Sequence, residues 1–415
     1  MTDISDPDTA PVDLERLRRE HERQYEVYHR VSIQEHLDDM ADRREKCPIS
    51  FSPDGGFWVL SRYDDMSTVL RKNNRGVVSF PNIPDGKPAF GQKKTIPIEL
   101  DGSVHSQYRK ILDPLFSPAR VKELEPRIRE VARDLIAGFA ARGECDFVEE
   151  FAMPFPGSIF LALMGWPIED TARMNAWVNT MLHGVEGGTE EETLAARGQA
   201  AGEIRAYMNE IIAARRAEPQ DDITTILLRA EIDGAPIPDD DLYDLFVLIM
   251  LAGLDTVQSV LAQSMSYFAR HQDTWDSMFA DPARMGDAVE ELVRWCSPAG
   301  PSRTITSDTL AVGELTLPEG ERLYCPLSAG NRDPKYFPEP DEVRFDRDAK
   351  PHLSFGLGTH RCVGLHLART ELRIAFEELR ELMPRFDLTA GREPHEHVGL
   401  TWGVDNVWLT FPPRS

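Results

Sequence analysis

The chain has 415 residues, 41% of them hydrophobic and 28% charged, proportions ordinary for a globular protein. Its formal net charge of -24 argues against nucleic acid as a partner, because phosphate binding needs a basic face, and favours solubility. The five cysteines, Cys47, Cys145, Cys296, Cys325 and Cys362, are odd in number and far apart, which excludes a disulfide framework and a zinc pattern.

Met1 to Asp8 has neither a basic start nor an apolar stretch, so no signal peptide is expected. Residues 1 to about 45 are polar and charged and read as a mobile segment with one amphipathic helix over Asp13–Tyr28. Gly56–Ser61 reads as a strand after a Gly-Gly turn, and Asp64–Arg71 as a short helix. Residues 80–104 are rich in Pro and Gly and lack a period, the character of a binding loop or lid. From His105 to about Arg229 the pattern is mostly helical. Leu124, Ile128, Val131, Leu135, Ile136 and Phe139 form one apolar stripe, and further helices are predicted over Thr171–Leu182 and Glu190–Arg215. The link Gly184-Val185-Glu186-Gly187-Gly188 suits a hinge and a plain surface turn equally.

Pro238-Asp239-Asp240-Asp241 is a strong helix start, with acids on the positive end of the dipole. No proline follows until Pro282, so a helix of about 30 residues can run to Arg270. Its middle, Leu245 to Leu254, is a run of ten apolar residues between Asp244 and Asp255. A membrane span needs about 20. The helix is therefore expected to cross a protein core, and the chain reads as cytoplasmic without a membrane anchor. A helix is predicted over Asp287–Trp295, short strands with turns over Thr304–Phe345, and a last long helix from Leu365 to about Leu382.

The chemistry concentrates ahead of that last helix. Phe355-Gly356-Leu357-Gly358-Thr359-His360-Arg361-Cys362-Val363-Gly364 puts a cysteine just before a helix N-terminus, whose N–H groups and dipole stabilise a thiolate. Gly356, Gly358 and Gly364 let the backbone approach a flat macrocycle, and Phe355 can cover the sulfur. The other four cysteines read as small buried hydrophobes. In the long helix, Asp255 lies in an apolar stretch, where a charge costs free energy unless it is paired or functional. Thr256 follows it, and Gly253 leaves room and weakens the helix.

These segments resemble the cytochrome P450 superfamily. The cysteine loop matches Phe-Gly-x-Gly-x-His-x-Cys-x-Gly and continues as Leu367-Ala368-Arg369. Ala252-Gly253-Leu254-Asp255-Thr256 matches the oxygen-activation motif, and Glu291-Leu292-Val293-Arg294 the Glu-x-x-Arg motif. Asn331-Arg332-Asp333-Pro334 with Phe337-Pro338 matches the segment before the haem loop, and His105-Ser106-Gln107-Tyr108-Arg109 with Phe116 an early haem-contacting helix. Order and spacing hold over nearly the whole chain, so residues 1–415 are read as one domain despite a length prior of two or three. The match looks most like the soluble, bacterial, ferredoxin-dependent (class I) branch and is similar to camphor-hydroxylase-like members.

The resemblance implies a mainly α fold, a triangular helical prism with a small β-rich region, and haem b between the central helix and the Cys-loop helix. It makes Cys362 the iron ligand, places Ala252, Phe355, Gly356 and Gly364 against the haem, and gives its propionates to His105, Arg109, Arg303 and His360. Glu291 and Arg294 are implied to form a buried structural network with a later arginine. Asp255 and Thr256 are implied to relay protons for O–O cleavage, which the thiolate assists. The activity implied is that of a monooxygenase inserting one atom of O2 into a C–H bond. Its electrons come from NAD(P)H through a ferredoxin reductase and a 2Fe-2S ferredoxin. Arg71, Lys72, Arg75, Arg109, Lys110, Arg120, Lys122 and Arg361 are expected beneath the haem as a basic docking face. Phe90, Ile98, Leu248, Leu251, Ala252, Ala299, Leu400 and Thr401 are candidates for the substrate pocket, with core packing an equal reading for the apolar ones. Leu248, Leu251 and Ala252 share a helix face with Asp255. A small, largely apolar substrate follows, a terpenoid or a simple aromatic. One departure from the family, Asp101-Gly102-Ser103-Val104-His105 in place of Asp-Pro-Pro-x-His, predicts a looser start to that loop.

Overall fold

The helix that starts at the three aspartates runs Asp239–Arg270, 32 residues, in the structure, a computed structural model that describes residues 13–27, 31–72, 77–79, 95–185, 187–348 and 351–414. Arg216 bridges Asp239, and Arg205 bridges Asp240 at 3.0 Å, so the helix Glu190–Ala217 neutralises the acidic start. A helix apolar on every side has to be buried on every side. Its N-terminal half lies in a core shared with the helices Pro154–Met164, Thr171–His183 and Glu190–Ala217. Its C-terminal half lies in another, with Pro118–Ala140, Met285–Cys296 and Leu365–Leu382. Among the described residues this helix alone is long and apolar enough to cross a membrane, yet 67% of its most apolar window is buried inside the fold.

A third core lies under a five-stranded sheet of order Ile49–Ser52, Phe57–Leu60, Arg322–Tyr324, Ser302–Ile305 and Val77–Ser79. Phe57–Leu60 is buried at every position, pairing antiparallel with Ile49–Ser52 and parallel with Arg322–Tyr324. Near the C-terminus a hairpin of His395–Val398 and Trp402–Asn406 packs on the central helix.

Predicted helices and observed ones agree to within a few residues over Tyr63–Arg71, Thr171–His183, Met285–Cys296 and Leu365–Leu382. The N-terminal reading needs correction. The first helix is only Leu14–Glu20, because the chain then turns extended and buries Tyr25 and Val27. Ile33–Lys46 is a second helix, opened by a Ser32–Glu35 capping box. Met40 on it is fully buried, and buried Arg43 donates to Ser50 Oγ at 2.7 Å and Asp39 at 2.7 Å. Residues 31–46 are therefore held to the body. The 80–94 part of the irregular segment lies outside the described residues, and its last residues begin a helix, Gly102–Leu115.

One ion pair hangs the chain that leads to Cys362. Arg294 donates to both Glu291 oxygens, at 2.7 and 2.8 Å, and to the carbonyls of Asn331, Pro340 and Glu342. Arg347 donates to Glu291 at 2.9 Å and is the later arginine of the expected network. Asn331 in turn donates to Ser297 and Ser354 at 2.9 and 2.8 Å and accepts from the Leu353 N–H at 2.6 Å. Both charges are buried; removing Arg294 leaves Arg347 as the one ion-pair partner of Glu291 and takes a donor from the Asn331 and Pro340 carbonyls. Arg294→Met is expected to cost about 3–5 kcal/mol. Thermal denaturation should show a large drop in Tm for it and little change for Arg344→Ala, whose partners Glu339 and Asp346 are exposed.

Candidate active site

Two hydrogen bonds close the cysteine loop: the Cys362 N–H to the Phe355 carbonyl at 2.8 Å and the Gly356 N–H to the Leu353 carbonyl at 2.7 Å. Gly358 has φ 71° and no room for a side chain, since a Cβ would lie 2.6 Å from the Leu70 carbonyl oxygen. The Gly364 N–H reaches the Cys362 sulfur, and Arg109, Arg369 and Arg361 lie close enough to favour its thiolate, but burial outweighs them and raises the thiol pKa. Cys362 nevertheless has accessible surface, whereas Cys145, Cys296 and Cys325 are buried. Burial pushes the thiols of Cys296 and Cys325 to about 12, as expected of inert core cysteines. The Arg369 guanidinium lies 4.6 Å from the Phe355 ring centre.

The fold gathers His105, Arg109, Arg303 and His360 from four distant segments. The rings of His105 and His360 are 4.1 Å apart. His360 Nε2 is 2.9 Å from Asp101 Oδ1, and Arg109 donates to the Arg361 and Thr359 carbonyls at 2.6 and 3.3 Å. Arg303 is buried on its strand and acts on His360 electrostatically. Burial, then His360 and Arg109, press the His105 pKa down to about 4; burial also lowers His360. Both imidazoles are thereby disfavoured as cations, and a dianionic ligand beside them would reverse that shift. The looser loop start expected at Gly102 is countered, because His360 holds Asp101 in place.

On the central helix the open face is Leu248, Ala252, Gly253 and Thr256, with Ala252 the most exposed. The Thr256 hydroxyl donates to the Ala252 carbonyl at 3.0 Å, which leaves its lone pairs to accept. Leu251 and Asp255, expected on the same face as Leu248 and Ala252, are buried instead, because neighbouring elements cover that edge of the helix. Asp255 Oδ1 pairs with His183 Nε2 at 2.9 Å. Burial alone would raise the Asp255 pKa, but His183, Thr401 and His397 outweigh it and hold the carboxylate below its ordinary range. The sequence contains the signal that Asp255 needs a partner but not which residue supplies it.

Of the other pocket candidates, Ala299 and Thr401 meet in an isolated β-bridge, and Leu400 packs partly buried against two of the cores. Ile98 is half-buried, beside buried Ile96. Phe90 lies outside the described residues. Under the cysteine loop is a hollow of about 970 Å³ whose lining mixes Arg71, Arg284, Arg344, Arg347, Arg361 and Arg369 with Asp287, Glu290, Glu291, Asp346 and Asp348. Of these, only Arg71 and Arg361 were expected there.

Residues 285–397 match the family described as Cytochrome P450. The chain is 35% identical to "Probable cytochrome P450 127A1" of Sinorhizobium fredii, covering 88% of this chain and 87% of the relative. The chain belongs to the cytochrome P450 family. It is also 30% identical to the vitamin D(3) 25-hydroxylase of Pseudonocardia autotrophica over 88% of its own length and 90% of that protein's. The solved structure of a mutant of P450 EryK in complex with erythromycin B superposes with a TM-score of 0.81 at 28% identity, covering 92% of this chain and 98% of that one. The fold is the P450 fold, the family's prosthetic group is haem b, and the protein is a monooxygenase of the oxidoreductase class.

The residues present fit that group. An accessible cysteine with an N–H aimed at its sulfur can take an iron ion, whose charge would offset the burial that otherwise keeps the thiol protonated. Four cationic or imidazole side chains stand ready for two propionates. Cys362→Ser is expected to abolish the thiolate signature in the ferrous–CO spectrum. Replacing Cys47, Cys145, Cys296 or Cys325 by Ser or Ala should leave it intact, and loss of the signature in any of those four would move the ligand away from Cys362.

Proposed function

We propose that this P450 hydroxylates a C–H bond of a largely apolar substrate, with Cys362 as the iron ligand, Thr256 and Asp255 as the proton-delivering pair, and a 2Fe-2S ferredoxin as the electron donor. The observation that carries this reading is an exposed cysteine just ahead of a helix N-terminus, in a chain whose otherwise buried central helix is exposed at Ala252. Bound haem supplies the activation of O2 and the oxidising power that puts one oxygen atom into the substrate. The protein's own residues position and protonate. His105, Arg109, Arg303 and His360 hold the propionates, Thr256 accepts and orients, and Asp255 holds a proton donor site one residue away.

Leu248, Ala252 and Leu400 give the pocket apolar walls, and Ala299 and Thr401 close one side of it. The relative named for vitamin D(3), an apolar terpenoid-derived molecule, favours the terpenoid over the simple aromatic. The convergence of residues from Asp101 to Thr401 on one site supports a single working domain, and the acidic net charge of -24 suits a protein dissolved in the cytoplasm. Electrons are proposed to arrive at the charged hollow under the cysteine loop, at its Arg71 and Arg361 edge, using NAD(P)H through a ferredoxin reductase. Of the basic residues expected there, Arg109 is turned inward to the loop carbonyls, Arg120 is engaged by Glu123 at 2.8 Å, and Arg75 lies outside the described residues.

Thr256→Ala is expected to keep consuming reductant and O2 while product per reductant falls severalfold and hydrogen peroxide rises. Asp255→Asn is expected to slow the whole cycle by about 100-fold, the usual size of a lost acid–base group. Coupled product and NADH measurements at saturating substrate separate the two. Tight coupling in the first with a parental rate in the second would return both residues to helix packing.

Arg361→Glu and Arg71→Glu should slow reduction by an acidic ferredoxin about tenfold at low salt and less at high salt, without altering the substrate-induced spin-state change. Stopped-flow reduction rates that ignore both reversals would remove the hollow as the docking face.

A further inference from the structure

Beyond the pair at Asp255, a row of titratable groups continues to the surface. His183 is the last residue of its helix, where the dipole favours a cation. Its ring lies 4.2 Å from the ring of His397. His397 Nδ1 is 2.7 Å from Asp405 Oδ1, and Asp405 Oδ2 is 2.8 Å from His395 Nδ1. Side-chain exposure rises along the row, from 3% at Asp255 to 15% at His183, 17% at His397, 36% at Asp405 and 56% at His395. The row therefore joins the interior to solvent.

Its construction is specific. In the hairpin, His395 pairs with Asn406 and Glu396 with Val404, so Asp405 is the extra residue of a bulge. A bulge re-aims a side chain, and here one carboxylate serves two histidines. His397 Nε2 is buried without a hydrogen-bond partner. The room beside it exists because position 403 is glycine: a Cβ there would lie 3.2 Å from His397 Cε1 and 3.0 Å from Ser259 Oγ.

We propose that His395, Asp405, His397 and His183 form a proton route from solvent to Asp255, with His397 rotating to pass its proton to His183. This rests on Asp255 delivering protons to the oxygen side. Hydroxylation consumes O2, two electrons and two protons per substrate C–H and releases one water, so a buried donor must be refilled each turnover. Each transfer moves one proton from an imidazolium or carboxylic acid to the next base, and solvent restores the outermost. The charged and titratable groups that face His183 are Asp255, Asp405, His397 and Arg197; the two carboxylates raise its pKa against burial and Arg197. The two carboxylates thus favour an imidazolium at His183 beside the Asp255 carboxylate, 2.9 Å away, and that is the pair from which a proton can pass inward. These four are positioning and relay residues, acting through Asp255.

The test uses the haem-loaded protein as its ferrous–CO complex, which is diamagnetic. In labelled protein, exchange of the His183 ring N–H with water should fall about tenfold in His397→Phe and in Asp405→Asn, as expected when an acid–base step is removed. Product formation should fall by a similar factor, most at alkaline pH. In His397→Ala, added imidazole should restore both. If His397→Phe does not fold, Asp405→Asn near the surface carries the same measurement. Unchanged N–H exchange and pH profile in these variants, with Asp255→Asn still slow, would overturn the route and leave the role of Asp255 standing. A parental rate in Asp255→Asn would overturn the reading beneath it.

Discussion

A 32-residue apolar helix laid through the protein has to be covered along its whole length, and every charge on it has to be compensated. The first demand produces two of the three cores, one around each half of the helix. The second shows in its two inner aspartates. Burial pushes the Asp244 carboxyl to about 6, because Arg205 acts on it only at a distance and Asp241, Asp240 and Glu99 oppose. Asp255 is buried more deeply yet stays below its ordinary range, because His183 bonds it directly. A partner at 2.9 Å decides the protonation state more than depth does.

The cysteine loop obeys the same rule with other residues. The loop of Cys362 has little secondary structure of its own, so its position is inherited from Glu291, Arg294, Arg347 and Asn331. That network uses main-chain carbonyls as acceptors, so it fixes the path of the chain rather than a few side-chain tips. The cysteine loop is thus tied to a buried ion pair, which suits a ligand residue that tolerates little movement.

Charge is also distributed with purpose. A protein of net charge -24 keeps arginines around the hollow beneath its cysteine loop. Several of them have structural duties there, Arg347 to Glu291 and Arg369 to Glu290 among them. The field of such a hollow is local, and long-range steering from it is weaker than its arginines alone suggest.

Most of the helices after residue 60 and the motif residues were legible in the chain itself. Helical periodicity, the Asp239–Asp241 start and the glycine-rich run before Cys362 are local patterns, and local backbone preferences act over a few residues. It also showed that Asp255 needed a partner. Tertiary structure alone decided that the partner is His183, 72 positions away, that Asp101 is held by His360, 259 positions away, and that Asp255 faces inward while Ala252 faces the opening. It decided as well that Ile33–Lys46 packs onto the body and that one bulge turns Asp405 toward two histidines. Hydrogen bonds and ion pairs form between whatever side chains the packed cores bring within about 3 Å, and no spacing along the chain encodes that meeting.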